Sequence, residues 1–248
     1  MTGTVHSMNE AYYAGAYWPG RVETLASYAR RAETFFHLLA GADVTFSRWL
    51  EKADSRSEAL KFEFTPDAET LLGLLKKKKY QRDEAGISFS AWNGERDGAS
   101  SGVRFACGST SALLGDLCTL SLPTEGAIKQ RVLSTSTLVQ VVRAMALAWE
   151  PEWSIATSQL HRDEVLKLSK AGTFVGWVMY FARSRGTLPP LPDPVCTEPV
   201  GDKGSLVILT PERFTASNPE HVALAARVQE LLEHSGMLRP LRPPSAAV

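Results

Sequence analysis

Thr173-Phe174-Val175-Gly176-Trp177-Val178-Met179-Tyr180-Phe181 is the stretch on which the reading of the fold turns. Nearly every residue in it is apolar, β-branched or aromatic, and one glycine interrupts the run. It is too short to cross a membrane, which takes ~20 apolar residues, and too apolar to lie half in water. The pattern predicts a strand buried on both faces, in the middle of a sheet. Lys170-Ala171-Gly172 before it and Arg183-Ser184-Arg185-Gly186 after it supply the breaks that bound such a strand.

Downstream, Leu188 to Pro199 holds prolines at 189, 190, 192, 194 and 199, which predicts an extended surface connector. Ser205 to Thr210 reads as a second fully apolar strand. Asn218-Pro219-Glu220 then caps a helix with Leu224, Val228, Leu231 and Leu232 on one face, ending at Gly236. Upstream, Trp153 to Thr157 reads as a strand and His161 to Lys170 as a short charged helix. Leu138, Val141, Val142, Met145 and Trp149 mark a long helix that stops before Pro151. Ile87, Phe89 and Ala91 alternate with Ser88, Ser90 and Trp92, and Val103, Phe105 and Cys107 repeat the pattern. With Leu117 to Leu122 these form three strands joined by short loops, an antiparallel meander.

Nearer the start, Tyr12 to Trp18 reads as a first strand. Arg21 to Ala40 reads as a helix whose apolar stripe is Val22, Leu25, Ala29, Ala32, Phe36 and Leu39. Val44 to Leu50 reads as a strand. Thr65-Pro66-Asp67 opens a further helix, with threonine as its cap, and Lys76-Lys77-Lys78-Lys79 closes it. That lysine run reads as a solvated helix end, against the sharper reading of a phosphate or acidic-partner patch. The element order implies an α+β fold: a largely antiparallel β-sheet with amphipathic helices packed against it. We expect a single domain over residues 9–238, with flexible termini at 1–8 and 239–248.

Chemistry is harder to find. Lys+Arg and Asp+Glu both number 27, so the formal charge is zero, which argues against general nucleic-acid binding. Cys107 and Cys118 sit in strand-like runs and read as buried free thiols; no C-x-x-C occurs. The N-terminus lacks a basic and apolar leader, and no apolar run is of membrane-spanning length, so a cytoplasmic protein is expected. His161-Arg162-Asp163 echoes a kinase catalytic loop, but Leu168 stands where that loop needs asparagine. G-x-S-x-G, the phosphate-binding G-x-x-x-x-G-K-[ST] and a dinucleotide-binding G-x-G-x-x-G are all missing. Histidines 6, 37, 161, 221 and 234 are scattered, with no i, i+4 pair for a helical zinc site. No catalytic residue, cofactor or metal is expected, and neither nucleic acid nor membrane is expected as a partner.

An ordered set of segments does carry a resemblance. Tyr12-Tyr13-Ala14-Gly15-Ala16-Tyr17-Trp18 comes first, followed by Arg48-Trp49-Leu50-Glu51-Lys52 and Ser88-Phe89-Ser90-Ala91-Trp92-Asn93-Gly94. Then come Ala148-Trp149-Glu150-Pro151-Glu152-Trp153, Gly176-Trp177 with Tyr180, and Gly204 to Thr210 continuing to Asn218-Pro219-Glu220-His221. The chain resembles the immunity protein 52 family of bacterial polymorphic toxin systems over about residues 9–238. Trp18-Pro19-Gly20 departs from it, since relatives are expected to carry glycine before the proline. The resemblance implies a non-enzymatic antitoxin that binds a cognate toxin. In this family the toxin is usually a nuclease of restriction-endonuclease-like fold, delivered by type VI or contact-dependent secretion. A toxin with a basic DNA cleft calls for an acidic patch, and Asp43, Glu51, Asp54, Glu58, Glu63, Asp67 and Glu69 are the candidates as a group. Two other readings are an enzyme with a dispersed active site and a secretion adaptor or chaperone.

Overall fold

The computed structural model describes residues 10–83, 86–110, 115–166 and 172–241. Tyr12–Trp18 (β1) runs near the middle of an antiparallel sheet of eleven strands. On one side of it lie Trp153–Ser158 (β8), Val178–Ala182 (β9), Gly204–Ile208 (β11) and, at the edge, Cys196–Val200 (β10). On the other side lie Asp116–Ser121 (β7), Gly102–Cys107 (β6) and Gly86–Trp92 (β5), then the short Trp49–Glu51 (β2) and Glu63–Phe64 (β3). Gln81–Arg82 (β4) also pairs with β5. The α+β class and the β5–β6–β7 meander are as expected.

Two helices cover one face of this sheet. Leu25–Ala42 (α1) packs along Thr135–Trp149 (α5), and α5 lies on β1, β8 and β9. Each helix starts where an oxygen meets a free N–H: Thr24 accepts from Ser27 N–H, and Ser134 from Thr137 N–H. An aromatic chain ties this layer to the sheet. Ring centroids step from Tyr80 to Phe89 (4.9 Å), Phe105 (5.1 Å), Trp149 (5.0 Å) and Trp18 (5.7 Å). At the end of β1 the buried Asp116 carboxylate accepts four hydrogen bonds. They come from Trp18 Nε1–H (3.1 Å) and the backbone N–H groups of Arg21 (3.0 Å), Gly108 (3.1 Å) and Ser109 (3.1 Å).

The second face is covered over only half its width. Pro219–His234 (α6), capped by Asn218, holds the irregular segment 173–177 against it: Gln229 Oε1 accepts from Val175 N–H at 2.8 Å. Phe174 meets the Trp153 ring edge-on at 5.4 Å. A Cβ on Gly176 would lie 2.6 Å from Ile155 Cδ1 and 2.7 Å from Thr157 Cβ, so only glycine lets the backbone approach β8 this closely. Here β1 and β8 are buried along almost their whole length, whereas β5, β6 and β7 alternate buried and accessible residues.

Several expectations need correction. The nine-residue run is indeed buried, but its strand begins at Val178, and β1 occupies the middle position. Residues 173–176 lie over the face of the sheet, and the ladder is joined only at Trp177, whose N–H donates to the Ala156 carbonyl at 3.1 Å and whose carbonyl accepts from Leu209 N–H at 2.8 Å. Val22, expected on the helix stripe, precedes α1 and is 68% exposed. Val44–Phe46 is a 3-10 turn and the strand expected there is only Trp49–Glu51. The cap of Ala68–Leu75 (α3) is Asp67, which accepts from Thr70 N–H at 2.8 Å, not Thr65. The proline-rich connector ends in β10, and Gly126–Val132 (α4) was not foreseen. His161–Val165 forms one π-helical turn; the remainder of that expected helix, 167–170, lies outside the described residues, as do 1–8. Of the tail expected to be flexible, Arg239 donates to the Arg185 carbonyl at 2.6 Å, and 242–248 lie outside the described residues.

Among the described residues no single helix is long and apolar enough to cross a membrane. α4 and α5 reach the length only as a pair bent by 71°, and most of α5 is buried in the core.

Gly176→Ala must push Ile155 and Thr157 off a tightly packed face. We expect a loss of about 1–3 kcal/mol, or a melting temperature lower by roughly 2–4 °C for each kcal/mol. A thermal melt superimposable on that of the parent would reject the close approach.

Candidate functional site

Where helices cover only one face, the other face of β5, β6 and β7 is open to solvent, and the buried Tyr13 and Gly15 of β1 close it on one side. Register decides its membership, because residues paired across strands share a face. Tyr13 pairs with Ser121, Gly15 with Thr119 and Tyr17 with Leu117. Those pair in turn with Gly102, Arg104 and Ala106, and these with Trp92, Ser90 and Ser88. The floor is therefore built of small and hydroxyl side chains. Each of Ser88, Ser90, Gly102, Ala106, Leu117 and Thr119 is partly exposed, while Ser121 and Arg104 are exposed.

Aromatic side chains bound this floor on both sides. On the β5 side Trp92 lies under the Arg56 guanidinium, 5.7 Å from the ring centroid. Arg56 begins the single turn Arg56–Ala59 (α2) and also donates to the Gly94 carbonyl at 3.3 Å. On the β1 side Arg162 lies over Tyr13 at 5.0 Å, and Tyr17 stacks on Trp153 at 5.4 Å. Tyr17 also lies across Gly15, where a Cβ would come within 2.5 Å of its hydroxyl oxygen. Burial pushes the Tyr13 hydroxyl pKa up against the lowering influence of Arg162. Arg162 is held by Asp163 at 2.6 Å, but the Arg104 side chain has no hydrogen bond or ion pair among the described residues.

Beside Trp92, the edge made by β2, α2 and β3 carries Glu51, Asp54, Glu58 and Glu63 of the acidic candidates, while Asp43 lies at the 3-10 turn and Asp67 and Glu69 at the start of α3. Leu60 (37% exposed) and Phe62 (43% exposed) are apolar side chains left in solvent there. Asp54, Glu58 and Glu69 are exposed. The other four carboxylates are engaged within the chain. Asp43 caps the 3-10 turn through Thr45 N–H (2.9 Å) and pairs with Arg131 at 2.6 Å; Glu63 pairs with Arg48 at 2.7 Å; Asp67 caps α3. Burial would raise the Asp43 pKa, but Arg131 and the Thr45 N–H outweigh it and hold the carboxyl below its usual range.

Glu51 is the most committed of the seven. It is 5% exposed and receives Lys77 Nζ (2.6 Å), Lys79 Nζ (3.0 Å) and Tyr80 Oη (2.6 Å). The four lysines are exposed at the end of α3, as expected of a solvated helix end, and two of them also neutralise an internal acid.

The sequence model of one family, immunity protein 52, matches residues 10–241. The chain belongs to that family. Among curated proteins none matches. Among solved structures, the Pseudomonas aeruginosa T6SS protein PA0821 is similar in fold, with a TM-score of 0.53 at 11% identity. The alignment covers 95% of this chain and 76% of that one.

In this immunity protein 52 chain, the tryptophans that carried the resemblance divide by role. Trp18, Trp49, Trp149, Trp153 and Trp177 are buried, and Trp177 Nε1–H donates to the Thr210 carbonyl at 3.1 Å. Trp92 alone of the six is partly exposed, on the open face. Histidines serve structure as well. His221 accepts Thr215 N–H at 3.1 Å and stacks on Phe214. His161 lies 3.2 Å from the Val175 carbonyl, and burial lowers its pKa despite that contact. Cys107 and Cys118 are buried free thiols, and burial raises both their pKa values; Cys196 is exposed. Open grooves, one of about 400 Å³ beside β9–β11 and one of about 310 Å³ beside Tyr28 and Cys107, gather no cluster of catalytic groups.

Glu51 gives a pH-dependent test. Burial raises its pKa, but Lys77, Tyr80 and Lys79 lower it further, so the folded value lies below the unfolded one. Its contribution is complete above the unfolded value of about 4.3 and disappears as pH falls through the folded value. Glu51→Gln should cost about 2 kcal/mol at pH 7 and much less near pH 3, measured by urea unfolding. An equal gap at both pH values would contradict the assignment.

Proposed function

We propose that this chain is the antitoxin of a bacterial toxin–immunity pair, binding a cognate toxin stoichiometrically and neutralising it without catalysis of its own. The family match along residues 10–241 carries this reading. The fold shared with a T6SS protein supports type VI secretion as the delivery route, with contact-dependent delivery as the other route. The toxin we propose is a nuclease of restriction-endonuclease-like fold, met in the cytoplasm.

Inhibition works by occlusion. A protein that covers a basic DNA cleft needs apolar anchors for affinity and carboxylates to match the cleft. The edge beside Trp92 combines both, with Leu60 and Phe62 next to Asp54 and Glu58. Of the seven acids, Asp54, Glu58 and Glu69 are the ones free to meet a partner; Asp43, Glu51, Glu63 and Asp67 would have to give up internal contacts first.

The test is co-expression with the toxin encoded beside this gene. Cells carrying both should survive and cells carrying the toxin alone should die. Asp54→Lys with Glu58→Lys should lower protection while leaving the melting temperature within about 1–2 °C, since exposed substitutions of this kind cost little stability. Equal killing with and without the chain would sink the antitoxin reading.

A further inference from the structure

The open sheet face asks for its own partner chemistry, and it differs from that of the acidic edge. We propose that the outward face of β5, β6 and β7 docks an acidic, extended segment of the cognate toxin, with Arg104 as the central contact. This rests on the antitoxin reading above and extends it by naming a surface and the chemistry it selects.

Three observations lead there. First, the face is floored by the short side chains of Ser88, Ser90, Ala106 and Thr119, and neither of the two grooves described above is lined by them. Three strands spaced about 4.8 Å apart and some 20 Å long make a platform suited to a polypeptide segment. Second, its charge is unbalanced. Arg48 and Arg162 are matched by Glu63 and Asp163, and Arg56 is a near neighbour of Asp54 and Glu58 in the chain, but Arg104 stands in mid-floor and pairs with no acid among the described residues. A carboxylate is the group that pairs bidentately with an exposed guanidinium. Third, the aromatic borders are already fixed. Arg56 over Trp92 and Arg162 over Tyr13 hold flat rings at the two sides of the floor, so little side-chain freedom remains to be lost on docking.

Size also favours a protein partner. A stable interface covers about 800 Å² on each side, more than this floor provides. The exposed Leu60 and Phe62, a few residues beyond the Arg56 that lies over Trp92, offer further apolar area to the same partner. The two surfaces then present opposite charge to different parts of one toxin, which fixes orientation as well as affinity.

The experiment titrates the full chain against the adjacent-gene toxin, inactivated by an active-site substitution, in a calorimeter at 50 and 300 mM NaCl. Arg104→Glu should raise Kd at least tenfold at low salt, Arg104→Lys should recover much of the loss, and the charge effect should shrink at high salt. Ser90→Trp, which fills the floor without changing charge, should weaken binding at both salt concentrations. All three variants should melt like the parent. Binding by the parent with both Arg104→Glu and Ser90→Trp unaffected overturns the docking face and leaves the antitoxin reading standing. No binding by the parent overturns both. Self-association of the parent through this face, abolished by Arg104→Glu, would assign the face to a second copy of the chain and overturn the toxin assignment.

Discussion

A carboxylate sealed from water must find donors, and Asp116 finds four. Those donors come from the last residue of β1, the lead into α1 and the end of β6. One side chain therefore locks the central strand, the first helix and the meander to a common origin. By holding Trp18 through its indole N–H, Asp116 also sets the ring that stacks on Trp149, and Trp149 in turn meets Phe105 and Phe35. Register follows. A slip of one residue in β7 would turn Cys118 and Leu120 outward and bring Thr119 and Ser121 into the core.

Much of this was legible in the chain because solvent writes its own pattern. Where one face meets water, as in β5 and β6, apolar and polar residues alternate, and the strands could be read directly. Where both faces are buried, the alternation vanishes and hydrophobicity reports burial without reporting conformation. That is why 173–181 read as one long strand, although Thr173 to Gly176 lies over the face of the sheet. Its glycine carried the missing information. Gly176 is there because Ile155 and Thr157 leave no room for a Cβ, a contact between residues about twenty positions apart that no local pattern contains.

Charge was legible only as a total. Seven acids between residues 43 and 69 looked alike in the sequence, yet their environments differ widely. Glu51 lies between two lysines and a tyrosine, Asp67 ends a helix, and Asp43 reaches Arg131 across 88 residues. The lysines at 77 and 79 were hidden for the same reason: a run of cations looks solvated until its buried partner is seen. Arg104 is the converse case. Its place among Val103, Phe105 and Cys107 marked it as outward-facing, but the absence of a partner among the described residues could be learned only from the fold.

These two kinds of legibility bear on how an immunity protein can be both stable and specific. The residues that made the family recognisable are mostly those of the covered half, Trp149, Trp153 and Gly176-Trp177, where packing tolerates little change. The open half asks less of its outward side chains. Ser88, Ser90, Arg104 and Thr119 lie on the face opposite the aromatic chain, partly or fully exposed, so their exchange disturbs Asp116 and that chain little. A rigid sheet with one replaceable face lets recognition change while the scaffold stays fixed, since specificity resides in differences of surface contact and not in the fold that presents them. The half of the sheet left uncovered by α6 is therefore where partner choice can vary at least cost to stability.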